Sequence, residues 1–381
     1  MTQTVEQPAV EQLAIEQSKR PLSGRGRRLR DLATRLTTPL LPDDYLQLIN
    51  PLWSSRELRA KVEDVVPQAD DAATLVLRPG WGWSFDHQPG QYVGIGVQVG
   101  GRWHWRSYSL TSPAVGAGDL LEVTVKAMPE GFVSDHLVRG LEPGTIVRLA
   151  APQGDFVLPD PPPGQILFLA AGSGITPILS MLRTLDRRGS VPDVVLVHTA
   201  PDADAMLFRE EIRELADRHP GLTVVEHFSR ERGRLSLADT EALDAACPDW
   251  RNRAAWACGP EAMLDAAERL WDRSGQKQRL RLERFSATLV GGGESGSVTF
   301  ARSGRSVEVD GATTLLEAGE RDGATMPAGC RMGICHTCVV PLVSGTVRDL
   351  RSGNEITGHE SDAPPVQTCV SAAVGDCVLD V

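Results

Sequence analysis

Residues 329–338, GCRMGICHTC, and residues 367–369, QTC, contain four cysteines that decide how the C-terminal part of the chain folds. The first three cysteines have the spacing C-x4-C-x2-C, and the fourth follows later in the chain. Four thiolates at this spacing are typical of a [2Fe–2S] cluster, which transfers one electron at a time. The sequence therefore predicts an iron–sulfur cluster and an electron-transfer function. The predicted ligands are Cys330, Cys335, Cys338 and Cys369.

A zinc site and a pair of disulfides are the alternatives for these cysteines. Zinc sites usually contain two short C-x-x-C-like pairs, whereas the last cysteine here stands alone. Disulfides are typical of secreted chains, and the N-terminal residues lack the apolar core of a signal peptide. Gly329 and Gly333 also allow backbone N–H groups to approach the sulfurs. These features favour the cluster.

Length and charge limit the class of protein. A chain of 381 residues is suited to two or three domains. No stretch is long and apolar enough for a transmembrane helix, and we expect a cytoplasmic protein. A formal net charge of −11 argues against nucleic acid as a partner. In the cytoplasm, three further cysteines are expected to be reduced thiols: Cys247, Cys258 and Cys377.

The N-terminal extension, residues 1–55, has a polar start, for which we expect disorder, and a basic segment at residues 19–35. Leucines in and after this segment recur at helical spacing, as on one face of a helix. One interpretation is a solvated helix packed on the body of the protein. The other is a basic amphipathic surface that contacts either an acidic partner or an anionic membrane. In the second case the protein would be peripheral at the inner face of the membrane.

The central part of the chain changes pattern twice. Residues 56–160 contain short alternating segments separated by Gly or Pro, which predict an antiparallel β-barrel. Residues 161–285 alternate strand-like and helix-like segments, which predict a doubly wound parallel α/β domain. A glycine-rich linker, residues 286–297, comes next. The last segment, residues 298–381, contains the cluster cysteines.

The barrel residues 106–109, R-S-Y-S, have the chemistry that a flavin nucleotide needs: a cation for its phosphate, an aromatic face for its ring and a hydroxyl near its N5. Alternation along a strand puts Arg106 and Tyr108 on the same face. The alternative is a surface arginine and a core tyrosine. Further along, Gly131-x-x-Ser134 opens a predicted helix, and a helix N-terminus suits a pyrophosphate.

Two glycine turns in the α/β domain predict a second nucleotide site. AAGSGITP, residues 170–177, follows a predicted buried strand, and its glycines allow the backbone to approach a pyrophosphate. The alternative is an ordinary βα turn. WACGP, residues 256–260, ends another predicted strand. Its Cys258 is either part of this site or a small buried residue without a special role.

The order R-x-Y-S, G-x-x-S, a glycine-rich turn followed by proline, and C-G-P resembles the ferredoxin–NADP reductase superfamily. The C-terminal cysteine segment resembles a plant-type ferredoxin domain with a β-grasp fold. The whole layout, over residues 56–381, resembles the reductases of bacterial oxygenases, of desaturases and of the hybrid-cluster protein. The resemblance implies an NAD(P)H oxidoreductase that binds FAD rather than FMN, a nicotinamide nucleotide and a [2Fe–2S] cluster.

The resemblance also implies roles for individual residues. Arg106 would bind the flavin phosphate, Tyr108 would stack on the flavin ring, and Ser109 would hydrogen-bond N5. Cys258 would lie beside the nicotinamide ring. Phe285, in a Glu-Arg-Phe motif, would shield the flavin, with packing at a domain junction as the alternative. The implied contacts to the FAD pyrophosphate and to the nicotinamide nucleotide are Gly131, Val133, Ser134, Gly172, Gly174, Thr176, Pro177, Gly259 and Pro260.

The choice between NADPH and NADH depends on a partner for the 2′-phosphate. Ser229 and Arg230 follow the third predicted strand of the α/β domain, and in NADP-preferring relatives Ser and Arg in this region bind that phosphate. Asp202 and Asp204, after the second strand, could instead favour a free ribose. We expect NADPH, with NADH as the alternative and a solvated loop as the ordinary interpretation of the arginines.

The resemblance implies a path from NADPH through FAD and the cluster to a protein outside this chain. Residues 41–62 and 80–113 resemble actinobacterial reductases that serve membrane-bound acyl-CoA desaturases, so the implied acceptor is a di-iron desaturase of fatty acid metabolism. One alternative is the reductase component of a soluble oxygenase or hydroxylase. Another is a redox sensor, in which the state of flavin and cluster controls a binding partner.

Overall fold

The computed structural model describes most of the chain from residue 46 onward, in two compact units. The first contains the described residues up to Ile95 together with Tyr108–Glu283, and the second contains Gly96–Ser107 together with Arg284–Val381. No helix in the described ranges is both long and apolar enough to cross a membrane. The described residues are 46, 48–54, 58–99, 102–114, 120–128, 131–238, 240–285, 295–311, 313–327, 338–350, 353–359 and 361–381.

A first sheet has six strands, namely β1 (Arg59–Ala69), β2 (Ala72–Pro79), β3 (Tyr92–Val99), β4 (Arg102–Ser109), β5 (Leu121–Lys126) and β6 (Ile146–Leu149). Its strand order is β4-β3-β6-β1-β2-β5. β1 pairs antiparallel with β2 and β6, and β2 pairs antiparallel with β5. Buried residues alternate with more exposed ones at the start of β1, as expected for a sheet with one face on a core. The antiparallel architecture predicted here is confirmed.

A second sheet has five strands, namely β7 (Gln165–Ala171), β8 (Asp193–Ala200), β9 (Leu222–Phe228), β10 (Ala254–Cys258) and β11 (Leu280–Glu283). Its order is β11-β10-β7-β8-β9, and every neighbouring pair is parallel. The order reverses beside β7, between β8 on one side and β10 on the other. In open parallel sheets, ligands bind at the carboxyl ends of the strands beside such a reversal.

Helices cover the two faces of the parallel sheet. Ile166 and Phe168 of β7 belong to one hydrophobic core, and the alternate residues Leu167 and Leu169 belong to the other. A strand buried on both faces in this way is the signature of the doubly wound fold, which confirms the prediction. The covering helices are α2 (Ile175–Arg187), α3 (Arg209–Arg218), α5 (Glu241–Ala246) and α6 (Glu261–Arg273), and the short helix α4 (Ser229–Arg232), which follows β9, has no buried residue.

The two sheets of the first unit share one of these cores. Phe156 and Leu158, which follow β6, pack in the same cluster as Ile166, Phe168 and residues of α2. The indole nitrogen of Trp256 in β10 also donates a hydrogen bond to the Val157 carbonyl, at 3.1 Å. Apolar burial therefore holds the antiparallel sheet against the parallel one within the first unit.

The described residues of the C-terminal part of the second unit form a mixed sheet and one helix. Its elements are β12 (Gly296–Phe300), β13 (Arg305–Val309), α7 (Leu315–Arg321), β14 (Val339–Asp349), β15 (Glu355–Gly358), β16 (Pro365–Gln367) and β17 (Ser371–Leu379). The order is β13-β12-β17-β14-β15, with β12 parallel to β17 and the other pairs antiparallel. Thr314 and Glu317 form a capping box that starts α7. This arrangement agrees with the predicted β-grasp domain.

Candidate functional site

Two glycine turns meet at the carboxyl edge of the parallel sheet. Gly174 follows β7 and Cys258 ends β10, the adjacent strand. A Cβ on Gly174 would lie 2.1 Å from the Cys258 carbonyl oxygen and 2.7 Å from the Gly259 nitrogen. A Cβ on Gly259 would in turn lie 2.8 Å from that of Ala171. The two turns therefore touch backbone to backbone, which only glycine permits.

The first of these turns leads directly into α2, a helix of 13 residues. Gly172 has a φ of 56°, which favours glycine over other residues. The Thr176 hydroxyl donates to the Ser173 carbonyl at 2.9 Å, and Thr176 and Pro177 are both buried. This first turn is thus held by the protein itself, and the N-terminus of α2 has the polarity that suits an anion such as a pyrophosphate.

Cys258 and Glu283 are direct neighbours across the parallel pair β10–β11. Burial raises the pKa of the Cys258 thiol well above its ordinary value, and the Glu283 carboxylate adds to this effect. Burial also raises the pKa of Glu283 to about 8. The Glu283 Oε2 atom is buried and has no hydrogen-bond partner among the described residues. At neutral pH the edge therefore presents two protonated groups side by side.

Glu283 is the site residue that the sequence motifs miss. The Glu-Arg-Phe motif directs attention to Phe285, whose side chain is half exposed and belongs to the second unit. Strand pairing, which places Glu283 opposite Cys258, is not visible in the motif. A carboxylate at the end of a short apolar strand, LRLE, is the one signal in the sequence. The shielding role of Phe285 stays a prediction.

The end of β4 presents the residues expected to bind a flavin. Arg106 is exposed and donates to the Trp105 carbonyl at 2.8 Å, and Tyr108 is half buried. The Ser109 hydroxyl is buried, with 4% of the residue exposed, and has no hydrogen-bond partner among the described residues. A buried hydroxyl without a partner costs about 1 to 3 kcal/mol. An outside acceptor would remove that cost, so the orphaned hydroxyl, the aromatic ring and the cation fit a flavin nucleotide.

The G-x-x-S element forms a closed turn. Gly131 precedes α1 (Phe132–Asp135), and Val133 is buried. The Ser134 hydroxyl donates to the Gly131 carbonyl at 2.8 Å and accepts from the Met128 N–H at 3.1 Å. A Cβ on Gly131 would lie 2.6 Å from the Ser134 Oγ. The hydroxyl therefore holds this turn, and its contact with a pyrophosphate stays a prediction.

Arg230, which favours NADPH, and Asp202, which favours NADH, are paired in the structure. Arg230, in α4, forms an ion pair with Asp202 after β8. The Asp202 carboxylate also accepts from the Ala205 N–H at 2.9 Å, and the Arg230 N–H donates to the Pro201 carbonyl at 3.0 Å. The Arg230 side chain is 73% exposed, so a phosphate can reach it. Asp204 is exposed nearby in the same loop.

The structure brings two of the four predicted cluster ligands together. The Cys338 and Cys369 Sγ atoms lie 3.2 Å apart, well beyond a disulfide bond length of about 2.05 Å. Both cysteines are buried in a small cluster with Leu316 and Val370. The Thr368 hydroxyl donates to the Cys338 carbonyl at 3.0 Å and ties the two segments together. Cys330 and Cys335 lie outside the described residues.

Comparisons with known proteins match all three predicted modules. The family described as "Oxidoreductase FAD-binding domain" matches residues 70–158, and "Oxidoreductase NAD-binding domain" matches residues 168–269. The family described as "2Fe-2S iron-sulfur cluster binding domain" matches residues 298–374. Cofactor domains for FAD, a nicotinamide nucleotide and a [2Fe–2S] cluster are therefore present.

Similar proteins align with most of the chain. An NADPH oxidoreductase of Mycobacterium tuberculosis is 58% identical over 356 residues, which are 93% of this chain and 92% of that protein. A glycine betaine monooxygenase reductase subunit of Pseudomonas aeruginosa is 27% identical and covers 87% and 98%. The crystal structure of phthalate dioxygenase reductase matches with a TM-score of 0.57 and 22% identity, covering 86% and 98%. That last likeness shows the fold.

Proposed function

Because this chain belongs to the ferredoxin–NADP reductase superfamily, among the members with a C-terminal [2Fe–2S] domain, we propose that it passes electrons from NADPH to a separate di-iron protein. Its domains make it an NAD(P)H-dependent oxidoreductase with FAD and a [2Fe–2S] cluster. The preference for NADPH and the identity of the acceptor are the proposed parts. The proposed modules are residues 56–160, 161–285 and 298–381, with an N-terminal extension before them and a linker at 286–297.

The closed edge of the parallel sheet is the observation that carries the proposed nicotinamide site. Gly174 and Cys258 touch through their backbones, and Glu283 lies beside Cys258. The turn at Gly172–Gly174 would hold the nicotinamide pyrophosphate, and Cys258 would form the wall against the nicotinamide ring. Glu283 is protonated up to a pH of about 8 and can hold or release a proton at this wall. FAD, when bound, converts the two-electron chemistry of NADPH into single electrons for the cluster.

The antiparallel sheet supplies the proposed flavin contacts. Arg106 would neutralise the flavin phosphate, and Tyr108 would cover one face of the ring. Ser109 would direct its otherwise orphaned hydroxyl to N5. The turn at Gly131–Ser134, with Val133, would approach the pyrophosphate of FAD through its backbone. The remaining proposed nicotinamide contacts are Thr176, Pro177, Gly259 and Pro260.

The preference for NADPH is supported by Arg230 and by a relative's name. An exposed guanidinium beside Ser229 suits a 2′-phosphate, because its charge is permanent and its donors match phosphate oxygens. The Mycobacterium tuberculosis relative, 58% identical, is named an NADPH oxidoreductase. Asp202 opposes this preference, because its carboxylate already forms an ion pair with Arg230 and competes with a phosphate for the guanidinium. Anaerobic stopped flow with each nucleotide tests the proposal: the rate of flavin reduction should reach half its limit at a lower concentration of NADPH than of NADH.

For the acceptor, we propose a membrane-bound di-iron acyl-CoA desaturase. The support is the resemblance of residues 41–62 and 80–113 to desaturase reductases, together with the basic segment 19–35 as a docking element. The second candidate is a soluble oxygenase, supported by relatives named as reductase subunits of monooxygenases. Redox sensing without a substrate acceptor is the remaining alternative, and rapid NADPH-dependent reduction of ferricyanide would argue against it.

Reconstitution distinguishes these acceptors. The purified reductase is combined with membranes that contain a desaturase, or with a soluble oxygenase component, and product is measured against NADPH consumed. We expect coupled desaturation with the membranes. Deleting residues 1–40 should weaken that coupling and leave dye reduction intact, because the basic segment would dock on anionic lipid or on the partner. Coupling that is unchanged by the deletion would contradict a docking role for this segment.

A further inference from the structure

Arg183, in the third turn of α2, joins three elements of the first unit through one guanidinium. Its Nε and Nη2 donate to the two oxygens of Glu211 on α3, at 2.6 and 2.8 Å. Its Nη1 donates to Glu122 Oε2 on β5 at 2.7 Å and to the Thr111 carbonyl at 2.9 Å. The guanidinium also lies 5.6 Å from the centre of the Phe208 ring. The Arg183 guanidinium therefore connects α2 to α3 and to β5 of the antiparallel sheet.

Two hydroxyls on the same face of α2 continue this contact. The Ser180 hydroxyl donates to the Ser112 carbonyl at 2.7 Å. The Ala114 N–H donates to the Thr184 hydroxyl at 2.9 Å. Positions three and four apart share one face of a helix, so Ser180, Arg183 and Thr184 form a polar face on α2. This face holds the backbone of residues 111–114.

The two ends of this connection are the two proposed cofactor sites. Residues 111–114 follow Tyr108 and Ser109 almost directly in sequence. At the other end, α2 begins at the glycine turn that touches Cys258. Arg183 lies about 12 Å along the helix from that turn, at about 1.5 Å per residue. A helix of this length is stiff. A shift at Arg183 therefore moves the glycine turn relative to Tyr108 and Ser109, the proposed flavin contacts at the end of β4, which is called the flavin strand below.

We propose that Arg183 is a positioning residue for hydride transfer: it sets the distance between the nicotinamide turn and the flavin strand without contacting either cofactor. The proposal rests on the proposed function. Displacing a reacting group by about 1 Å can cost a factor of about 100 in rate. A bidentate arginine–carboxylate pair fixes both distance and angle, whereas a lysine keeps the charge but loses the fork.

Arg209 offers a matched control inside the same unit. Its guanidinium forms a bidentate pair with Glu226, at 3.0 to 3.2 Å, and lies 5.5 Å from the centre of the Phe228 ring. Its side chain is 24% exposed, close to the 19% of Arg183. Both of its partners belong to the parallel sheet and its helices, so this pair does not connect to the flavin strand.

The test compares Arg183→Lys with Arg209→Lys by anaerobic stopped flow in the FAD- and cluster-loaded protein. For Arg183→Lys we expect the limiting rate of flavin reduction by NADPH to fall about tenfold or more. The long-wavelength absorbance of the nicotinamide–flavin contact should weaken, while the Kd for NADPH and the FAD content stay close to wild type. Hydrogen exchange of the backbone amides of residues 110–112 and 114 should also become faster. Arg209→Lys should keep the limiting rate within about twofold.

An unchanged limiting rate in Arg183→Lys, or equal losses in both variants, would overturn the proposal in favour of a purely stabilising role. If Arg183→Lys does not retain FAD, Glu122→Gln takes its place, because it removes one charge from the connection and leaves the Arg183–Glu211 pair. It should lower the limiting rate several-fold, and an unchanged rate would again overturn the proposal. Failure of NADPH to reduce the wild-type flavin would instead refute the proposed function.

Discussion

Two buried cysteine sites in this protein are built in opposite ways. Cys258 is enclosed by backbone, against Gly174, and burial together with Glu283 keeps its thiol protonated. Cys338 and Cys369 are 31 positions apart in sequence, yet their sulfurs lie 3.2 Å from each other in a buried cluster. Metal ligation requires thiolates, and two adjacent buried thiolates repel each other unless a cation lies between them.

The difference shows which contacts complete each site. The proposed nicotinamide edge is closed by the protein's own packing, because its two glycine turns approach each other through their backbones and Glu283 is the register partner of Cys258. The cysteine pair, if it ligates as two thiolates, would be stabilised by a cation between the sulfurs, and the iron of a cluster would supply that positive charge. We therefore expect changes at the two sites to have separable effects, and four substitutions test this from the largest expected effect to the smallest.

The largest effect is expected for Cys338→Ser. Loss of one thiolate ligand should abolish cluster binding, removing the cluster's visible absorbance and its electron paramagnetic resonance signal after reduction. NADPH should still reduce the flavin, because the proposed nicotinamide edge belongs to the first unit. Cys377→Ala, at a buried cysteine in β17 of the same unit, should keep the cluster. A cluster that survives Cys338→Ser, or flavin reduction that disappears with it, would break the comparison.

Gly174→Ala attacks the preformed edge directly. The added Cβ would lie 2.1 Å from the Cys258 carbonyl oxygen, so the two turns must separate. We expect a loss of stability of at least about 2 kcal/mol and a loss of flavin reduction, with the cluster retained. Urea unfolding and stopped-flow reduction measure the two effects. Gly164→Ala has open space around the new Cβ and should change neither quantity.

Glu283→Gln tests the protonated state of the edge. The folded protein raises the pKa of this carboxyl from 4.5 to about 8, so it binds the proton more tightly than the unfolded chain does. The resulting contribution to stability is complete below about pH 4.5 and is lost as the pH rises towards about 8. Over that window the free energy of unfolding should fall by up to about 5 kcal/mol, at about 1.4 kcal/mol per pKa unit.

In Glu283→Gln this dependence should be absent, because the amide does not titrate. Unfolding in urea at several pH values between about 5 and 9 measures the slope. Glu268→Gln, on the exposed side of α6, serves as the control and should keep the wild-type slope. The same slope in Glu283→Gln as in wild type would show that another group titrates.

Asp202→Asn is expected to have the smallest effect. Asp202 competes with a 2′-phosphate for Arg230, because its carboxylate pairs with that guanidinium. Removing the charge of Asp202 should therefore favour binding of NADPH. An exposed ion pair is worth up to about 1 kcal/mol, so the ratio of kcat/KM for NADPH over NADH should rise up to about fivefold. Asp204→Asn, in the same loop, should change the ratio less. A fall in the ratio for Asp202→Asn would show that Asp202 aids binding of the phosphate.

Much of the fold follows from local patterns in the chain. The cysteine spacing predicts the cluster, and the glycine turns and alternating segments predict an antiparallel module, a parallel α/β module and a ferredoxin-like module in that order. These features can be predicted from the sequence because a turn, a strand or a closely spaced set of metal ligands depends on residues that are near one another in the chain. The predicted ligands Cys330 and Cys335 rest on that spacing.

Four pairings come only from the tertiary structure: Cys258 with Glu283, Asp202 with Arg230, Arg183 with Glu122, and Arg183 with Glu211. In the sequence, Asp202 and Arg230 argue for different nucleotides, and Arg183 is one charged residue on a helix. Parallel strand pairing and helix packing bring these residues together across tens of positions. The sequence by itself therefore determined the modules and their cofactors. The tertiary structure decided which side chains are protonated at neutral pH and which form ion pairs, because burial and strand register depend on packing.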